Sequence, residues 1–138
     1  MERYDYAEAV KNDVKDYIES NIDLTEYAGN RDGLVEELND TLFVEDSVTG
    51  NGSGSYTFNA YEAEENIAHN LDLLVEAMKE FGDDNGMKML ESPESADVTI
   101  RCYLLPQEIE NALDEIEQEK NIDLTDEHTF DKSDVERD

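Results

Sequence analysis

The sequence predicts an α+β domain, in which a small, mostly antiparallel three-stranded sheet is covered by about four helices. Some segments place apolar residues at three- and four-residue steps, which is typical of helices, whereas others alternate apolar and polar residues, which is typical of strands. An Asn-Gly pair between two β-prone runs adds a hairpin signal, because both residues tolerate positive φ. The expected order of elements is α-α-β-β-α-β-α.

Two amphipathic helices are predicted at the start of the chain. The first covers Asp5 to Asn21, where the apolar side chains recur at helical spacing: Tyr6, Val10, Val14, Tyr17 and Ile18. The second runs from about Arg31 to Leu42, with Leu34, Val35, Leu38 and Leu42 facing inward. Residues Ile22 to Asn30 are predicted to form the linker between them.

A hairpin and a third helix are expected next. Two β-prone runs, Val44 to Thr49 and Ser55 to Asn59, flank the glycine-rich stretch Gly50 to Gly54. Asn59 is the predicted N-cap of a helix that ends at Gly82 and carries this apolar stripe: Ile67, Leu71, Leu74, Met78 and Phe81.

The last strand and the last helix complete the predicted domain. A strand is expected over Val98 to Leu104, where alternate residues are apolar, and a fourth helix from Pro106 to about Glu119. The domain is thus predicted to span 1–119, followed by an acidic, partly ordered tail at 120–138. The pentapeptide Asn21 to Thr25 recurs as Asn121 to Thr125, each time after a helix. We interpret it as the same apolar hook used twice.

Charge is the strongest functional signal in the composition. The 138 residues include 38 Asp and Glu against 10 Lys and Arg, for a formal charge of −28. A folded chain of this length is roughly 37 Å across, and 28 charges correspond to about 48 Å of duplex DNA. Such a field repels nucleic acid and acidic membranes and attracts basic clefts. A halophilic surface is the competing explanation, since salt screens the repulsion.

Other compositional signals indicate a cytoplasmic, non-enzymatic protein. The sequence contains no apolar run of about 18 residues, so no membrane span is predicted. The N-terminus does not have the pattern of a signal peptide. The single Cys102 is expected to be a buried, inert thiol. Glu65, His69 and Asp72 share one helical face, but a metal site needs a further ligand, so a solvated face is favoured. We predict no catalytic residue, cofactor or metal.

The predicted partner-binding surface is acidic. In the fourth helix, like charges at i,i+4 such as Glu110 and Asp114 cost a few tenths of a kcal/mol per pair, and the sequence places no cation among them before Lys120. A basic partner would relieve this repulsion. A homodimer in which two such faces combine is a further hypothesis. The predicted contact residues are Glu108, Glu110, Asp114, Glu115, Glu117 and Glu119, with Glu65, Asp72 and Glu76 of the third helix as a second group.

Two segments, Glu45 to Asn59 and Asp97 to Leu104, carry a resemblance to a family of short acidic proteins from phages and conjugative elements of Gram-positive bacteria. The resemblance extends from about Tyr4 to Glu119. The resemblance implies a gene on an element of this kind, where small acidic proteins that inhibit CRISPR nucleases or restriction enzymes are frequent. The resulting hypothesis is a DNA-mimic inhibitor of a defence nuclease. The alternative is an accessory protein that binds a basic replication or transfer protein of a mobile element.

Overall fold

The computed structural model describes residues 5–45, 47–49, 60–81 and 93–130. These ranges contain five α-helices and a short 3-10 helix at Leu24–Tyr27. The α-helices are α1 (Tyr6–Asn21), α2 (Arg31–Leu42), α3 (Ala60–Ala68), α4 (Leu71–Phe81) and α5 (Pro93–Lys120). No strand occurs in this part of the chain, so the predicted α+β fold with a three-stranded sheet is wrong and the described fold is helical.

Helix α5 is the centre of the fold. Its 28 residues make it about 42 Å long at 1.5 Å per residue, and it contacts α1, α2, α3 and α4. The residues of its second half, such as Ile109 and Leu113, share a core with α1 and α2. Its first half packs in a smaller cluster, where Ile100 meets Tyr6 of α1 and Leu74 of α4. Each of the other four described α-helices is therefore held by burial against α5.

The third predicted strand lies inside α5. Ala96 to Cys102 are all buried, and this includes the three polar residues Asp97, Thr99 and Arg101. A segment enclosed on every side has no solvent face, so its apolar alternation does not distinguish a strand from a helix. Arg101 donates to Asp97 over 2.9 Å, and this i,i+4 pair requires helical geometry.

The first strand of the predicted hairpin is also wrong. Its described residues form turns, in which the Thr49 N–H donates to the Glu45 carbonyl over 2.9 Å. The Thr49 hydroxyl donates to the Leu42 carbonyl at the end of α2. Val48 and Thr49 are both fully buried, and this packing against the core overrides their β-propensity. The glycine-rich stretch and the second run, Ser55 to Asn59, lie outside the described residues.

The predicted third helix is interrupted at Asn70. The Asn70 carbonyl accepts hydrogen bonds from the N–H groups of Leu73 and Leu74, and these start α4. The Asn70 side chain donates to the Asn66 carbonyl over 2.9 Å, which satisfies a free carbonyl at the end of α3. One apolar stripe thus predicted a single helix where the structure has two.

The first two helices are confirmed almost to the residue. Asp5 caps α1 by accepting the Glu8 N–H at 3.0 Å, and Asn30 caps α2 by accepting the Gly33 N–H at 3.2 Å. Both caps satisfy a donor that the helix itself leaves free. The predicted fourth helix is correct at its C-terminus, but it begins 13 residues earlier, at Pro93.

The repeated pentapeptide forms the same structure twice. In each copy the aspartate, Asp23 or Asp123, accepts hydrogen bonds from the N–H and the hydroxyl of the threonine two residues later. The leucine between them is buried in the same core in both copies, as Leu24 in the first and Leu124 in the second. The interpretation as an apolar hook is confirmed, and the described part of the chain after α5 packs on the core as far as Phe130.

The second hook is held by the linker between α1 and α2. Gly29 donates its N–H to the Leu124 carbonyl over 2.9 Å. Gly29 has a φ of +75°, and a Cβ there would lie 2.7 Å from the Cβ of Glu127. Only glycine fits this approach without strain.

Candidate partner-binding surface

A cation from α2 reaches the acidic face of α5. The Arg31 guanidinium donates to the carboxylates of Glu110 at 3.0 Å and Asp114 at 2.8 Å. It also contacts the Glu117 carboxylate and donates to the Glu110 carbonyl. The sequence-based view that this stripe lacks a cation is therefore wrong. The missing charge is supplied by a residue 79 positions away from Glu110.

Two lysines of α1 neutralise the neighbouring carboxylates of α5. The Lys15 ammonium lies 3.2 Å from Glu115 and 2.9 Å from Glu119. Lys11 contacts Glu115 and lies 2.8 Å from Glu8. Hydrogen bonds from Lys11 and then from Lys15 hold the pKa of Glu115 below its ordinary value of 4.5.

These contacts leave the α5 face negative overall. Five carboxylates of α5 and Glu8 of α1 share three cations, and each cation has only about 15% of its side chain exposed. The carboxylates of Glu110 and Asp114 remain about half exposed, at 47% and 57%. Arg31 thus fixes the positions of the carboxylates whose outer surface stays in solvent. Such a surface is suited to bind a second cation without reordering its side chains.

Glu108 does not belong to this exposed surface. It is buried, and its carboxylate accepts a hydrogen bond from Asn111 at 3.1 Å. Burial raises the pKa of Glu108 above its ordinary value of 4.5. This predicted contact residue lies at the bottom of a cleft between α1 and α5, and with 6% of its surface exposed it offers little area to a partner.

The second predicted group is divided between two helices. Glu65 is half-buried on α3, whereas Asp72 and Glu76 are exposed on α4. Glu76 lies 3.5 Å from Lys79 on the same helix. Because the chain turns at Asn70, the three carboxylates do not continue one helical row as the sequence predicted.

Sequence analysis missed an acidic row on α2. Asp32, Glu36 and Asp40 follow one another at i,i+4 with Glu37 beside them, and all four are exposed. None of the ion pairs among the described residues involves any of them. The signal was present in the sequence, because α2 contains no cation after its first residue, Arg31. We call these four carboxylates the α2 row.

The α2 row is unfavourable for the helix that carries it. Asp32 lies in the first turn, where the helix dipole favours a carboxylate. Asp40 lies in the last turn, where the dipole opposes it and no basic residue compensates. Repulsion at each i,i+4 step adds a few tenths of a kcal/mol. Arg31 precedes Asp32 directly, so the α2 row begins next to the carboxylates of α5.

Other chemistry is not assembled in the described residues. Burial raises the pKa of the Cys102 thiol to about 12, so it stays protonated at neutral pH. The predicted burial of Cys102 is confirmed, on a helix rather than a strand. No group of three potential metal ligands comes together within the part of the chain that the structure describes.

Comparisons of the chain with protein-family models, curated proteins and solved structures gave no match. Within the described ranges, no helix combines the length and the apolar composition needed to cross a bilayer. A functional conclusion therefore rests on the surface itself. Its distinguishing features are the α2 row and the adjoining carboxylates of α5.

Proposed function

We propose that this protein is a non-enzymatic DNA mimic that inhibits a bacterial defence nuclease, of the CRISPR or restriction type, in the cytoplasm of the host cell. Its carboxylates occupy the basic channel of the nuclease and exclude nucleic acid. The α2 row is the observation that carries this proposal, since its four exposed carboxylates have no compensating cation among the described residues.

The α2 row destabilises the helix that carries it. A helix that is optimised for stability interleaves lysines at i,i+4 and places cations in its last turn, and α2 does neither. On α5, in contrast, Arg31, Lys11 and Lys15 reduce the repulsion. Among the described residues, cations thus compensate carboxylates of α5, and none of them pairs with the α2 row. A partner rich in Lys and Arg relieves the repulsion at the moment of binding.

The whole charge supports the same partner. A formal charge of −28 produces a field that accelerates association with basic surfaces and disfavours acidic ones. A nucleic-acid channel is such a basic surface, because it must neutralise phosphates. The resemblance implies that the gene lies on a mobile element, where small acidic inhibitors of defence nucleases are frequent. This supports a defence nuclease as the target.

The α5 carboxylates extend the proposed interface. Glu110 and Asp114 stay partly exposed although Arg31 holds them in place. Preorganised carboxylates lose little side-chain entropy on binding, so these two residues form the fixed part of the interface and the α2 row forms the more repulsive part. Glu115, Glu117 and Glu119 lie at its edge.

The test measures DNA cleavage by purified RNA-guided and restriction nucleases in the presence of the protein. We expect near-stoichiometric inhibition of at least one of them. The decisive variant neutralises the α2 row with Asp32→Asn, Glu36→Gln, Glu37→Gln and Asp40→Asn. Its matched control neutralises four exposed carboxylates elsewhere: Asp16→Asn, Glu19→Gln, Glu26→Gln and Glu64→Gln. Each set changes the formal charge from −28 by four, to −24.

The α2 variant is expected to weaken inhibition by at least tenfold and the control by less than threefold, which corresponds to a difference of about 0.7 kcal/mol or more. Equal weakening by both variants would show that net charge, and not this surface, is responsible. Binding to a nuclease without inhibition would favour the accessory-protein alternative. No inhibition of any nuclease at micromolar concentrations would contradict the proposal.

A further inference from the structure

A cleft of roughly 540 Å³ lies between the end of α2, the end of α4 and the middle of α5. Three of its lining residues are aromatic: Phe43, Phe81 and Tyr103. Phe43 and Phe81 are in edge-to-face contact, with ring centroids 6.4 Å apart, and Phe43 remains 38% exposed. The cleft therefore offers aromatic surface to a ligand from solvent.

The polar side chains that line the cleft supply acceptors. The Asn39 amide donates one N–H to the Val35 carbonyl over 2.9 Å and keeps its oxygen as an acceptor. The Gln107 amide donates one N–H to Asn111 at 3.3 Å and likewise keeps its oxygen. Glu80 contributes a carboxylate, which only accepts hydrogen bonds when ionised.

We propose that this cleft binds a guanidinium group, the side chain of an arginine on a basic protein partner. Guanidinium is planar, stacks on aromatic rings, carries five N–H donors and has no acceptor. It matches both the rings and the acceptors, and its charge matches a protein of −28. An apolar side chain would fill the same walls but would leave the acceptors without donors.

This inference rests on the proposed function for its choice of a protein as the source of the arginine. The chemical assignment can be tested without any partner. The ¹⁵N-labelled full chain is titrated to millimolar concentrations with N-acetyl-arginine amide, and in parallel with N-acetyl-lysine amide and N-acetyl-leucine amide. Amide shifts of Phe43, Phe81 and Tyr103 report on the cleft.

We expect saturable shifts at these three residues with the arginine compound, and binding at least about fivefold weaker for lysine and leucine. Glu80→Gln and Phe43→Leu are each expected to weaken arginine binding by about threefold or more. The matched controls are Glu76→Gln, which removes one carboxylate from the same helix, and Val44→Ala, which trims an exposed apolar neighbour. Both controls are expected to bind arginine as the parent protein does.

Equal binding of leucine, equal effects of Glu80→Gln and Glu76→Gln, or no saturable shift would each overturn the assignment. The source is tested with the peptide acetyl-Ala-Arg-Ala-amide, which is expected to bind at least as tightly as free arginine. If free arginine binds tenfold more tightly than the peptide, the cleft is a small-molecule site, and this result would contradict docking of a protein partner. Arginine binding without inhibition of any nuclease would leave the cleft assignment intact and contradict only the proposed function.

Discussion

At the scale of single residues, the least expected feature is an ion pair inside the helical core. Asp97 is 1% exposed and Arg101 is 5% exposed. The Arg101 guanidinium donates to Asp97 and lies 5.6 Å from the centroid of the Tyr6 ring. The Tyr6 hydroxyl donates to the other oxygen of Asp97. Each charge is thus desolvated and depends on its partners.

Replacing one member of this pair is expected to cost far more than replacing both. Arg101→Met leaves the buried Asp97 carboxylate without its cation, and we expect a loss of about 3–5 kcal/mol in the free energy of unfolding. The double variant Asp97→Leu with Arg101→Met is expected to recover at least half of that loss, because neither charge of the buried pair remains. Urea denaturation of both variants measures the difference.

Lys79→Met provides the control, since Lys79 pairs with Glu76 on the surface, where both side chains are more than half exposed. Its effect is expected within about 0.5 kcal/mol. A double variant less stable than Arg101→Met would contradict this account of the pair.

At the scale of elements, the docking of α2 on α5 depends on Arg31. Three carboxylates of α5 share this one cation. Whether the removal of a carboxylate raises or lowers the free energy of unfolding therefore depends on whether Arg31 is present. Arg31→Met is expected to lower the free energy of unfolding by about 1–3 kcal/mol, as the loss of several charged hydrogen bonds. The reason is that Glu110, Asp114 and Glu117 then repel one another without compensation.

The dependence on Arg31 is tested by removing two of the carboxylates in its presence and in its absence. Glu110→Gln with Asp114→Asn is expected to lower stability in the parent protein, where both carboxylates bind Arg31. In the Arg31→Met background the same two changes are expected to raise stability, because they remove repulsion. Thermal or urea unfolding of the four proteins completes the cycle. The same sign in both backgrounds would show that Arg31 does not compensate these residues.

The success of prediction from sequence differed between elements for physical reasons. Helices α1 and α2 each bury one stripe and expose the opposite face, so their 3.6-residue period was visible. The segment of α5 from Ala96 to Cys102 is buried all round, so residues such as Thr99 and Arg101 gave a false alternation. Arg31 lies far in sequence from the carboxylates it binds, and no local pattern contains that contact. The acidic character of the surface was predictable, but its division into compensated and uncompensated rows was not.

At the scale of the whole molecule, the carboxylates respond to pH in opposite directions. Burial raises the pKa of Glu108 above 4.5 and that of Asp13 above 3.8. The folded state therefore binds these protons more readily than the unfolded state, and stability increases as the pH falls through the raised values. Contacts with Lys11 and Lys15 lower the pKa of Glu115. Its contribution is lost as the pH falls below 4.5 through that lowered value.

We therefore expect maximum stability on the acid side of neutrality. The urea midpoint is expected to rise as the pH falls from neutrality through the raised pKa values of the two carboxyls, while the general repulsion declines. It is expected to fall again below pH 4.5, where the contribution of Glu115 is lost. Glu108→Gln is expected to reduce the rise, since it removes one of the titrating groups. A midpoint that declines steadily from pH 7 downward would contradict this balance.

The most direct measurement of the central claim is the affinity for an inhibited nuclease across a salt series, with and without duplex DNA. If carboxylates fill the nucleic-acid channel, affinity falls steeply as ionic strength rises to about 0.5 M, where screening acts over only a few ångströms. DNA then competes for the same surface, and no complex contains both. An affinity unchanged over that range, together with a complex that holds the nuclease, DNA and this protein at once, would contradict charge mimicry.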